Sequence, residues 1–174
     1  SILTAQNFRS DEIPKEARQM LSSSKTLIRN KRKQDASINL TNWLDNHPNA
    51  NALTRGEFHS LLIKASDDPE LKYKHYISAH QAFKEKPDRD SNSALLNMLE
   101  DEIFEIPLIH PSHPDETEKL LLSEAKTVFD PQVPLTALQP EMLRLSAKLK
   151  DSSEFLQLGT NYCNHLPETS KISA

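Results

Sequence analysis

A chain of 174 residues that holds only two glycines, Gly56 and Gly159, is poor in every structure that consumes glycine. Tight hairpins, strand bulges and phosphate-cradling loops need positive φ or close backbone approach, and glycine supplies both. Helices need neither, and eleven prolines provide their punctuation. The aliphatic residues agree, with 24 Leu against 10 Ile and 2 Val, a balance that suits helix packing over pleated sheet. The expectation is an all-α fold: an irregular bundle of seven to eight helices with proline-broken connections.

Leu, Ile, Val and Phe make up 42 of the 174 residues, above the roughly one-fifth below which chains stay disordered. The length fits one domain, so residues 1–166 are expected as a single helical domain, with a basic helical subregion at 10–34 and a tail at 167–174. Apolar runs such as Leu120-Leu121-Leu122 fall far short of the roughly 18 residues a membrane span requires, and the N-terminus lacks a basic-then-apolar leader. Cys163 is the only cysteine and has no thiol to pair with. These features predict a soluble protein of the reducing cytosol, and nothing in them implies a cofactor or metal.

Periodicity places the helices. Pro14 suits a first turn, and Ile13, Ala17, Met20 and Leu21 form an apolar stripe, which predicts a helix over 14–30 with a bend at Ser22-Ser23-Ser24. A second helix over 35–46 carries Trp43 as a core anchor and stops at His47-Pro48. Thr54-Arg55-Gly56-Glu57 has capping-box spacing for a third helix that ends near Ser66. Asp68-Pro69 opens a fourth that closes at Pro87. Leu95 to Phe104 forms a fifth with an acidic C-terminal half. Asp115 to Phe129 is a sixth, a seventh follows Pro140, and Ser152 to Leu158 is a short eighth capped by a left-handed Gly159. Tyr76, Ala79, Phe83 and Pro87 resemble a tetratricopeptide helix, but no second copy follows at that repeat's spacing.

Charge is unevenly spread. Residues 15–33 hold seven cations and one acid, Glu16, a net +6, whereas the whole chain is −4. The run Lys25, Arg29, Lys31, Arg32 and Lys33 is therefore a candidate contact for an acidic protein partner, or for nucleic acid or anionic lipid. Cations also belong at a helix C-terminus, and no aromatic residue is interleaved here for stacking on bases.

His110, His113 and Asp115 form the second candidate contact, in a segment broken by Pro107, Pro111 and Pro114. His113-Pro114-Asp115 resembles the tripeptide of J-domain co-chaperones, and that resemblance implies a loop that engages an Hsp70. The helix ahead of it carries Glu100, Asp101, Glu102 and Glu105, where the family's helix is basic. The same three residues offer metal-ligating groups, but the closed, paired spacing of a structural site is missing. Asn46 to Phe58 resembles the second half of an EF-hand loop, yet Pro48 and Ala50 stand where two early oxygen ligands belong.

No HExxH, GxSxG, GxxxxGK[ST] or GxGxxG occurs. His75 and His80 share a predicted helix and could approach each other or Tyr76, and Cys163 with His165 could make a thiolate pair. With no catalytic signature, the expected function is a non-catalytic helical domain that acts in protein interaction or regulation, meeting a partner through the basic segment or the proline-histidine loop.

Overall fold

The computed structural model describes residues 12–102 and 114–166, and among these every regular element is a helix. In chain order they are α1 (Lys15–Arg29), α2 (Lys33–Asn46), α3 (Ala52–Ala65), α4 (Pro69–Glu85), α5 (Arg89–Glu102), α6 (Pro114–Val128), α7 (Leu138–Ser146) and α8 (Ser153–Asn164). The chain divides into two compact units, Ser1–Met98 and Leu99–Ala174, with α5 running across the division.

In the first unit α3 is the central helix, because its buried residues Thr54, Gly56, Phe58, Leu61, Leu62, Ile63 and Ala65 occupy nearly every direction around its axis. One side meets Ala17 and Leu21 of α1 and Leu40 of α2, with Ile13, Met20, Ile28, Trp43 and Leu44 packed around them. α3 and α4 share the most extensive packing of the unit, and α4 buries Tyr73, Tyr76, Ala79, Ala82 and Phe83. Each such Leu or Phe stabilises the unit by about 1.5–3 kcal/mol relative to exposure.

In the second unit α6, α7 and α8 pack pairwise around buried Leu121, Val128, Met142, Phe155 and Tyr162. The proline-rich link between α6 and α7 is tied down by Gln139. Its Nε2 donates to the carbonyls of Val128 and Pro134 at 3.3 and 3.0 Å, and its Oε1 accepts from the Thr136 amide at 2.8 Å. The Tyr162 hydroxyl donates to the Val133 carbonyl at 2.6 Å, which anchors the same link to α8.

Several local expectations change. α5 starts at Arg89 and not near Leu95, because the Asp88 side chain accepts from the Ser91 amide at 2.8 Å and caps the residues that read as a polar turn. α7 starts at Leu138, with Pro140 inside its first turn. α1 runs unbroken through Ser22-Ser23-Ser24, since Ser23 and Thr26 return their hydroxyls to the carbonyls of Met20 and Ser22, and Ser24 is buried. The cap of α3 is Asn51, whose Oδ1 accepts from the Thr54 amide at 2.8 Å, while the Thr54 hydroxyl is buried with no hydrogen-bond partner. No capping box forms, because the helix starts one turn earlier. Gly159 lies inside α8 with negative φ, where α7 approaches closely through Leu143, so its role is packing instead of termination. Trp43 is half-buried at the edge of the core.

Candidate functional site

α2 ends in an aromatic stack. The His47 ring lies on the indole of Trp43 with centroids 3.9 Å apart and planes 11° from parallel, and Phe58 of α3 stacks on Trp43 at 4.3 Å. His47 Nδ1 lies 2.7 Å from the Trp43 carbonyl, which can only accept, so Nδ1 carries a proton and donates it to that carbonyl. That bond also satisfies a carbonyl of the last turn. His165 closes α8 in the same way, donating from Nδ1 to the Asn161 carbonyl at 2.7 Å.

The stack rims a cavity of about 380 Å³. Pro14 and Glu16 line it from the start of α1, Asn46 and His47 from the end of α2, and Asn49, Asn51 and Thr54 from the turn into α3. Asn51 is committed to the scaffold: besides capping α3, its Nδ2 donates to the Glu12 carbonyl at 2.8 Å and holds the chain ahead of α1 against the turn. The amides of Asn46 and Asn49 offer a donor and an acceptor each, beside the edge of a tryptophan.

The basic segment is split by a turn. Lys25 and Arg29 are exposed on α1, where Arg29 complements the helix dipole. Lys31 sits in left-handed backbone with φ 62°, and the amides of Lys31 and Arg32 donate to the carbonyls of Ile28 and Leu27, a Schellman closure built without glycine. Arg32 and Lys33 stand at the start of α2, where the dipole disfavours cations, and each has an acid of its own chain. Arg32 bonds Asp35 at 2.8 Å, and Lys33 bonds Asp67 at 2.8 Å, which holds the Asp67 carboxyl below its ordinary value. Lys25 faces Glu57, whose pKa burial pushes up and Lys25 partly restores.

His110 and His113 lie outside the described residues, and Asp115 is exposed in the first turn of α6. Among the described residues no group of three His, Cys, Asp or Glu is placed to hold a metal ion. Cys163 is exposed, and the bond of His165 to Asn161 directs its Nδ1 elsewhere than to that thiol. At the acidic end of α5, Glu100 and Asp101 are exposed and Glu102 is buried. His80 is buried, and His75 meets His59 of α3 in place of His80. The sequence marked Trp43 and His47 only as core and helix stop. The signal it held was an i, i+4 aromatic pair beside a proline turn rich in asparagine. Among known proteins, the chain matches no family model, no curated protein and no solved structure.

Proposed function

We propose that the first unit is a non-catalytic protein-binding module, and that a partner inserts a side chain into the cavity at the α2–α3 turn. The observation that supports this reading is the half-buried Trp43, pinned between His47 and Phe58 at the rim of a cavity of about 380 Å³. Tryptophan in a preformed concave site is the residue most often found to dominate a protein interface, and rigid stacking lowers the entropy cost of using it. The Asn46 and Asn49 amides supply orientation.

The test places a photo-crosslinking residue at Asn49, identifies the trapped partner, and measures the purified pair by calorimetry. Asn46→Arg, which blocks the cavity from an exposed rim position, should weaken binding by about thirtyfold or more with helicity unchanged. Unaltered affinity in Asn46→Arg and in His47→Ala would place the interface elsewhere.

A second reading takes nucleic acid or anionic lipid on Lys25, Arg29 and Lys31. It draws on the cost the chain bears in setting a lysine in left-handed backbone and two cations at the start of α2. The pairing of Arg32 and Lys33 with Asp35 and Asp67 leaves this surface weaker than the residue count suggests.

A further inference from the structure

His59 of α3 and His75 of α4 face each other across the most extensive helix contact of the first unit, Nδ1 to Nδ1 at 3.1 Å, with ring centroids 5.3 Å apart. Two neutral imidazoles reach that separation when one N–H donates to the other's lone pair, so a single proton lies between two nitrogens that are both metal-ligating groups. A tetrahedral ion that holds histidine nitrogens at about 2.0–2.1 Å sets them about 3.3 Å apart, and right-angled coordination sets them about 2.9 Å apart. The observed separation falls between the two. Both rings are half-buried on elements that are rigidly packed together, so the pair is held at this spacing by the helix seam.

We propose that His59 and His75 form a two-histidine chelate for a first-row divalent ion of the copper and zinc class, which bonds both Nδ1 atoms from beside the line that joins them and displaces the proton they share. The displaced proton is taken up at Nε2 of the same ring through solvent, so two neutral imidazoles become two neutral ligands with no net proton release. Water fills the remaining coordination positions. Burial lowers the pKa of both rings, that of His59 to about 4, so at neutral pH the ion has no imidazolium to compete with. Arg55, whose charge acts on His59, lies against Glu85 at 2.6 Å, which offsets its repulsion of a bound ion. With nitrogen donors alone, copper should bind more tightly than zinc.

The experiment titrates the purified 174-residue chain with CuCl2 and with ZnCl2 at neutral pH by calorimetry, and records the copper spin-resonance spectrum. One equivalent should bind, with a spectrum that reports two nitrogen ligands. His59→Gln and His75→Gln should each weaken binding by about tenfold or more and reduce the spectrum to one nitrogen, while His47→Gln and His165→Gln change neither. On the wild-type chain, bound zinc should protect His59 and His75 from diethyl pyrocarbonate, a readout that stands even where a variant folds poorly. The proposal is overturned by undiminished affinity in either variant, by loss of the site in His110→Gln or His113→Gln instead, by unprotected rings, or by no binding up to about 1 mM of either ion.

Discussion

Both glycines lie inside helices at close contacts, while a lysine holds the left-handed position that glycine would suit. A Cβ built on Gly56 falls within 2.9 Å of three atoms of the Phe83 ring, and Phe83 is fully buried. The atoms nearest a Cβ on Gly159 belong to the end of the Leu143 side chain, from 3.1 Å, and Leu143 is half-buried. Gly56→Ala should therefore cost about 1–3 kcal/mol through overpacking, whereas Gly159→Ala, inside a helix and against a yielding neighbour, should stabilise by up to about 1 kcal/mol. Urea unfolding of the two variants distinguishes these signs. At the turn after α1 the logic reverses, because Lys31 holds φ 62° where glycine carries no penalty. Lys31→Gly should raise stability by about 1 kcal/mol, and a fall in the urea midpoint would mean that the lysine side chain makes a contact worth more than the strain.

At the scale of elements, the start of α3 and its seam with α4 are the parts most open to test. Asn51 caps α3 and also grips the Glu12 carbonyl, so Asn51→Ala should cost about 1 kcal/mol or more. The Thr54 hydroxyl is buried without a partner, and its removal in Thr54→Val should be neutral or stabilising. A loss above about 1 kcal/mol in Thr54→Val would restore the capping box that the spacing suggested. Across the seam, the folded-state pKa of His59, about 4, lies below its ordinary value of 6.5. Between those two values the unfolded chain takes up a proton that the folded chain refuses, so stability is full above pH 6.5 and is lost as pH falls toward 4. Urea midpoints measured from pH 7 to 4.5 should drop more steeply in the wild type than in His59→Gln. Glu57, raised by burial, works in the opposite direction and is common to both proteins, so it cancels in that comparison.

Over the whole molecule, the charge asymmetry of the sequence follows the division into units. The first 98 residues hold 15 cations and 12 acids, net +3, and the remaining 76 hold 6 and 13, net −7. Among the described residues no helix is long and apolar enough to cross a membrane. With Arg32 and Lys33 in ion pairs of their own chain, at most three cations of the basic segment are open to a polyanion. Contacts on that scale weaken steeply with salt, so labelled duplex DNA and anionic vesicles should show no saturable binding at about 150 mM salt. Tight binding there, abolished in Arg29→Glu/Lys31→Glu, would favour the polyanion reading over the cavity.

By itself the sequence determined the helical class and most of the helix boundaries, because glycine scarcity, proline stops and apolar spacing act locally, as Asp68-Pro69 at the start of α4 shows. Two of the ends that it misplaced are places where two chemically equal choices lay a few residues apart. Asn51 and Thr54 are both good caps, and Gly159 suits a helix end as well as a close helix crossing. Only the tertiary structure decided between them, since the choice depends on which backbone a distant segment approaches: Glu12 at the turn, Leu143 at α8. The same holds for the candidate site. The basic run was legible as charge, but its pairing with Asp67, the rim formed by Trp43 and His47, and the meeting of His59 with His75 across 16 residues of chain all arise from packing between helices. Local periodicity carries no record of such pairings, because they form only when separate apolar faces are buried together.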